Sequence, residues 1–418
     1  MNTRTMFAEA RKQTDKLFEL VPESLYDRPI PERHRLVFYL GHLEAFDWNL
    51  LRPHMRNVPA FHERFDRLFA FGIDPVGGGL PSDTPTDWPA ADEVRGYNRL
   101  VRQTLDDAEH DGRLLHMALE HRLMHAETLA YMLHQLPLGR KRAEAQAAVP
   151  ETEPVRSDAI EVPAGCATLG LARNGGFGWD NEFDAHQVGV AGFAIDRYKV
   201  TNRDYLRFLE AGGYRDPEFW TPAAWQWKTE RDISHPVFWK RAGGEWRWRA
   251  MFDEIPLPPD WPVYVSHGEA SAYARWAGGR LPTEAEWHRA AYGTPEGSER
   301  QFPWGDEPPG PRHGYFGFAG WDPSPVNAFP GGRSAFGVDG LMANGWEWTA
   351  SPFAPFGGFA AHPSYAGYSA DFFDGRHYVL KGGSPRTAAC MLRRSFRNWF
   401  QPHYQYVYAG FRCVRELD

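Results

Sequence analysis

The stretch Glu120-His121-Arg122-Leu123-Met124-His125-Ala126-Glu127 decides how the first third of the chain is read. Two histidines four residues apart on a helix project from one face, one turn above the other. At that spacing two imidazoles can share one metal ion. Leu114, Met117, Ala118, Thr128 and Met132 lie on or beside the same stripe, so the histidines are expected to face the interior. A buried imidazole needs a polar partner, and a metal satisfies two at once. Two unrelated histidines in a helix fit the same spacing, so the pair needs company before it becomes a site. Arg122 stands where HExxH zinc proteases carry glutamate, which argues against that activity.

Working outward, four helical segments are expected over residues 3–21, 32–51, 91–109 and 112–136. They are punctuated by Pro53, the Gly77-Gly78-Gly79 run, Pro81, Pro85 and Pro89. Helices of this length suggest an antiparallel bundle, whose core is a common place for a metal held from facing helices. On the second segment Tyr39, His42, Leu43, Phe46 and Leu50 recur at helical spacing, which puts His42 in the apolar stripe. A lone histidine there reads as core; with two more on another helix, three imidazoles form a facial ligand set. Asp47 is near the same stripe and reads either as a partner for an imidazole N–H or as a buried structural polar group. His34, His110, His116 and His134 have no such company and read as ordinary histidines.

Composition narrows the function classes. The chain has 418 residues, enough for two or three domains, with 42% hydrophobic and 24% charged residues, as in ordinary globular proteins. A net charge of −8 argues against a broad nucleic-acid-binding face. Aromatic residues reach 15%, which suits a small cationic ligand. Cys166, Cys390 and Cys413 are far apart and form neither a CxxC metal pattern nor a disulfide framework. The first twenty residues are polar and amphipathic, unlike a signal peptide, and no run of 18 apolar residues occurs. A reducing, cytoplasmic setting without membrane contact is therefore expected.

Residues 137–160 are charged, rich in Ala and Pro and poor in large apolar side chains, and read as a linker that is partly helical at its start. After residue 160 the composition shifts: 15 of the 17 tryptophans follow, only Trp48 and Trp88 preceding. Helices are expected over 201–211, 267–277 and near 283–292, within an irregular α+β domain of short strands and turns. No repeat period is visible. The domains are thus read as 1–136, carrying the histidines, and 161–418.

Several motifs in the second domain are specific: Asp180-Asn181-Glu182, Val200-Thr201-Asn202, Gly278-Gly279-Arg280-Leu281-Pro282-Thr283-Glu284-Ala285-Glu286-Trp287, Asn344-Gly345-Trp346-Glu347-Trp348-Thr349, Gly382-Gly383-Ser384 and Gly410-Phe411-Arg412. Together they resemble formylglycine-generating enzymes over nearly all of 161–418. The resemblance implies a C-type-lectin-like α+β fold. Those enzymes use a close cysteine pair near the C-terminus; Arg393 to Trp399 holds none here, so a copper-thiolate oxidase is disfavoured.

A helical bundle joined to this domain resembles the ergothioneine sulfoxide synthase family, which pairs a DinB-like four-helix bundle with a formylglycine-generating-enzyme-like domain. Leu40-Gly41-His42 and the HxxxH of His121 and His125, followed by Glu127, match the family's metal motif. The resemblance implies that these three histidines hold a non-haem iron(II). It also implies a reaction that joins a sulfur donor to C2 of the imidazole of hercynine, N-trimethylated histidine, with dioxygen. Tyr365-Ala366-Gly367-Tyr368-Ser369 and Phe396-Arg397-Asn398-Trp399 follow the family's order. The resemblance then makes Tyr365 the proton donor, and makes Tyr368, Asn398 and Trp399 the hercynine-binding residues. The physics agrees: three neutral imidazoles leave the ion positively charged with open positions. A phenol, ordinarily of pKa about 10, can give up a proton. Aromatic faces hold a quaternary ammonium, which has no N–H to donate.

The chain departs from the family around the donor. Met124 stands where many members carry glutamine. Phe400 and Tyr404 stand where members using γ-glutamylcysteine carry an aspartate and an arginine, and Gly382-Gly383-Ser384-Pro385-Arg386 replaces a more usual GGSWA. Losing a carboxylate and a guanidinium removes the partners of an amino acid's ammonium and carboxylate. Aromatic rings in their place suit a less charged donor such as a sugar. The related selenoneine synthase branch, which uses a selenosugar, is therefore favoured, with cysteine or γ-glutamylcysteine as the alternative donor. A contact from Arg95 or Arg99 to the donor stays open. Two other classes compete: a metal-binding, thiol-handling protein that does not consume dioxygen, and a non-catalytic lectin-like scaffold.

Overall fold

The computed structural model describes residues 2–70, 80–144, 152–156, 158–174 and 176–417. The Gly77-Gly78-Gly79 run and the middle of the expected linker lie outside them. The chain divides into two compact units, Met1–Ala145 and Gln146–Asp418. The division falls inside the stretch read as a linker, and the first strand of the second unit already begins at Ala159.

The first unit is helical: α1 Thr3–Glu19, α2 Leu36–Leu51, α3 Glu63–Leu68, α4 Ala91–Asp106 and α5 Gly112–His134. α1 packs on α5, and α2 packs on both α4 and α5. Local chemistry sets the starts. The side chain of Asn2 accepts from the Thr5 amide at the head of α1, and Asp111 accepts from the amides of Arg113 and Leu114 at the head of α5. α2 has no side-chain cap; the amides of Leu36 and Val37 donate instead to the carbonyls of Asp27 and Leu25. That is why α2 begins at Leu36 rather than at residue 32. Nearly the whole circumference of α2 is buried, 14 of its 16 residues. α3 is too short for its periodicity to be seen in the sequence. It is fixed by Asp66, whose carboxylate accepts from Trp48 Nε1 on α2 at 3.2 Å and from Tyr97 Oη on α4 at 2.7 Å.

The second unit is α+β. Its strands are β1 Ala159–Val162, β2 Gly165–Leu169, β3 His186–Val190, β4 Phe193–Asp196, β5 Trp239–Ala242, β6 Glu245–Arg249, β7 Glu254–Pro256, β8 Gly345–Pro352, β9 Tyr378–Gly383, β10 Asn398–Phe400, β11 Ala409–Gly410 and β12 Val414–Glu416. They form sheets of order β1-β4-β12, β10-β9-β8-β11, β2-β3 and β5-β6-β7. Its helices are α6 Asn202–Glu210, α7 Pro222–Glu230, α8 His267–Trp276 and α9 Glu284–Tyr292. Three follow the expected segments; α7 was not anticipated. Capping boxes start α8 (Ser266 with Glu269) and α9 (Thr283 with Glu286).

The motif-rich segments meet at a buried hub. Glu347 on β8 is fully buried and accepts from Trp287 Nε1 at 2.8 Å and from both arms of Arg412 at 2.7 and 2.8 Å, with Lys199 Nζ 3.0 Å away. A buried carboxylate is tolerable only when paired this completely. Gly345, at φ 113°, has room for no Cβ, because one would meet the Tyr264 ring at 2.6 Å. No helix among the described residues is long and apolar enough to cross a membrane.

Candidate metal and substrate site

The histidine triad belongs to the first unit. His42 on α2 and His121 and His125 on α5 are 3%, 2% and 1% exposed. His125 Nε2 lies 3.2 Å from His42 Nε2 and 3.1 Å from His121 Nε2. His42 Nδ1–H donates to the Phe69 carbonyl at 2.6 Å, since a carbonyl can only accept. That fixes the tautomer and leaves His42 Nε2 as a lone pair aimed at the other rings. The link depends on Gly41. A Cβ there would meet the Phe69 ring at 2.6 Å, so glycine lets α3 close on α2 beside the histidine. Phe46 stacks on His121, with centroids 3.4 Å apart at 11°.

Burial pushes all three imidazoles down. His42 falls to about 4, the Phe69 carbonyl opposing the shift, and His121 and His125 fall well below their ordinary value, with the neighbouring imidazoles and Arg122 adding to it. Three neutral imidazoles with converging ring nitrogens are what a divalent cation requires, and the ligand atoms all lie within 4.8 Å of one another. The donor set suits iron(II), zinc or copper alike.

Asp47 does not serve these rings. It lies five residues beyond His42, about 140° around the helix. There its carboxylate accepts from buried Arg122 at 2.5 Å, and Arg122 also donates to Glu44 at 2.9 Å. Met124 lies between the two α5 ligands in sequence and is half-buried.

The second unit brings Tyr365, Tyr368 and Trp399 into one aromatic cluster, while Asn398 and Phe400, which alternate with Trp399 along β10, lie on the other face of that strand. Tyr368 stacks on Trp179 at 4.0 Å and 24° and meets Trp399 edge-on at 5.3 Å; Tyr365 lies 5.6 Å from Tyr368. Trp399 in turn stacks on Phe353 at 4.2 Å. Asn398 and Trp399 stand on β10, which pairs antiparallel with β9 (Trp399 opposite Val379), and Asn398 Oδ1 accepts from the Trp399 amide. Phe400 and Tyr404 stack on each other, 5.1 Å and 5°. The two rings thus form one stacked pair, with Tyr404 buried. Trp179 was not singled out from the sequence; only its place beside the Asp180-Asn181-Glu182 motif pointed to it.

Comparison with known proteins agrees with this layout. Residues 145–417 match the sulfatase-modifying factor enzyme 1-like domain. The chain is 35% identical to the hercynine oxygenase of Mycolicibacterium smegmatis, over 98% of this chain and 97% of that one. It is 34% identical to the hercynine oxygenase of Mycolicibacterium thermoresistibile, over 98% and 94%. It is also 28% identical to ergothioneine biosynthesis protein 1 of Neurospora crassa, over 95% of this chain and 56% of that longer one. With both units spanned by relatives at this identity, the chain belongs to the hercynine oxygenase, or ergothioneine sulfoxide synthase, family.

Proposed function

We propose that this protein joins a chalcogen donor to C2 of the hercynine imidazole, consuming dioxygen. With a thiol donor, the C2–H and S–H bonds break, C–S and S–O bonds form, and dioxygen ends as the sulfoxide oxygen and water. The observation that carries the reading is the meeting of three neutral, buried imidazoles from α2 and α5 in a member of this family. In the proposal the helical unit is a DinB-like bundle in which His42, His121 and His125 hold iron(II). When bound, the ion supplies dioxygen activation and an electrophilic anchor for the donor. The chain supplies the rest. Tyr365 Oη delivers a proton, and Tyr368, Asn398 and Trp399 hold hercynine, its trimethylammonium against aromatic faces. The relatives' names, hercynine oxygenase and ergothioneine biosynthesis protein 1, favour ergothioneine formation over its selenium counterpart.

One observation supports a second donor. The Phe400–Tyr404 stack carries no charge to pair with an amino acid, and aromatic rings are what sugar rings lie on. A seleno- or thiosugar donor, as in selenoneine synthases, is the reading this aromatic pair supports. Iron-loaded protein incubated with hercynine, dioxygen and each donor in turn decides between them. Turnover with cysteine or γ-glutamylcysteine and none with a selenosugar removes the second reading. Hercynine-independent oxygen uptake removes both.

A further inference from the structure

Pro81, Pro85 and Pro89, which read in the sequence as a break between helices, frame a strap. Residues 80–90 hold one short turn, Pro85–Asp87, and are tied to the segment that leads into α2. Asp83 is the knot. Its Oδ1 accepts from Arg28, and its Oδ2 accepts from Arg35 Nε at 3.0 Å and from Trp88 Nε1 at 2.8 Å. Its carbonyl accepts from Arg35 Nη2 at 2.9 Å. Arg28 also donates to the Pro81 carbonyl at 2.8 Å, and Tyr26 Oη donates to that of Pro89 at 3.1 Å. A carboxylate that takes hydrogen bonds from two guanidiniums and an indole is a firm attachment.

What the knot holds in place is the indole. Trp88 lies nearly parallel to the Phe69 ring, with centroids 6.2 Å apart at 22°, and meets Phe38 edge-on at 5.9 Å. Those two residues define the setting of His42. The Phe38 ring lies along its imidazole, 4.9 Å away at 18°, and Phe69 carries the carbonyl that accepts from its Nδ1–H. Both phenylalanines are fully buried, and half-buried Trp88 packs against both. Asp66 fixes the body of α3, but Phe69 follows the last residue of that helix, Leu68. Carbonyls at a helix end have no partner within the helix, so the packing of the Phe69 side chain decides where this one points.

From this geometry we infer that Trp88, tied down by Asp83, is a positioning residue for His42: it packs against Phe69 and Phe38 and so holds the carbonyl and the ring that orient the imidazole. The inference rests on the proposed function for what the three histidines hold, but not for the orientation of His42. Trp88 is no ligand and acts only through the two phenylalanines.

Trp88→Leu and Asp83→Ala in the full-length protein test it, with the milder Trp88→Phe beside them, in two measurements. The first needs no metal. In protein labelled with nitrogen-15 at histidine, the buried Nδ1–H of His42 should give a slowly exchanging magnetic-resonance signal. It should exchange about tenfold faster in Trp88→Leu and in Asp83→Ala. The second is titration with Co(II), which both variants should bind about tenfold more weakly, at the low end of what losing a ligand's supporting bond does. Trp88→Phe, which keeps a ring against Phe69, should stay close to wild type in both. The decisive comparison is made in the His42→Ala background, where a cation keeps only His121 and His125. There Trp88→Leu should weaken Co(II) binding no further, because its effect runs through His42. An equal loss of affinity with and without His42 would make Trp88 a general packing residue and overturn the inference. Wild-type exchange of the His42 Nδ1–H in Trp88→Leu would overturn it too. Should Trp88→Leu fail to fold, Asp83→Ala in the same two backgrounds decides. If wild-type protein binds no Co(II), the metal reading fails, and the exchange of the Nδ1–H still decides the positioning.

Discussion

His42 shows how one residue's chemistry is assembled from several short-range facts. Its ring is directed by the Phe69 carbonyl, and that carbonyl is within reach because residue 41 has no side chain. Gly41→Ala should therefore push Phe69 away, free the imidazole to rotate and weaken metal binding about 10- to 100-fold, as loss of such supporting hydrogen bonds generally does. Titration of the purified protein with Fe(II) or Co(II) measures this. Tyr365→Phe keeps the ring and removes only the hydroxyl. It should leave metal and hercynine binding intact and alter product partitioning; unchanged kinetics and products would take Tyr365 out of the mechanism. The sequence made the histidines readable, because spacing of four and an apolar stripe are local properties. It could not reveal Phe69 as the partner of His42, which comes from 27 residues away through a helix too short to announce itself.

Among the elements, α2 shows where periodicity stops being informative. Being buried almost all round, it has no polar side against which a stripe could be drawn. His42 and Asp47 therefore looked alike in the sequence, although the helix turns them to different neighbours. Asp47 joins Glu44 and Arg122 in a buried network in which Arg122 is fully covered. Burial pushes the Asp47 carboxyl up to about 6 against the pull of Arg122, so the network is delicately compensated. Arg122→Met should destabilise the helical unit by about 3–5 kcal/mol, because it takes the guanidinium from buried Asp47 and leaves Glu44 with Arg102 alone. Denaturant unfolding followed by far-ultraviolet dichroism would measure it. The capping boxes of α8 and α9 were legible because their chemistry lies within four residues. The aromatic cluster around Tyr368 was legible only in part. Its members come from residues 179, 353, 365, 368 and 399, and nothing local in the sequence brings them together.

For the molecule as a whole, the shift from periodic helices to tryptophan-rich α+β sequence marked the two units. The pattern of buried titratable groups has a consequence for its acid tolerance. His267, stacked on Tyr378 at 3.9 Å, is pushed by burial down to about 4, and fully buried His288 falls well below its ordinary value. Between the ordinary histidine pKa of 6.5 and about 4 the unfolded chain binds protons that the folded chain refuses. Stability therefore falls as pH drops through that window and is fully present above it. His267 alone accounts for about 3 kcal/mol by pH 4. His267→Gln should flatten the dependence of melting temperature on pH between 7 and 4.5; an unchanged slope would assign the acid sensitivity elsewhere.

The central claim is that His42, His121 and His125 hold one ion at which hercynine is oxidised. Oxygen uptake by Fe(II)-loaded protein, with and without hercynine and a donor, tests it most directly. Uptake should require both hercynine and donor and fall to background in His42→Ala. Uptake that proceeds without hercynine, or that survives loss of His42, would contradict the claim.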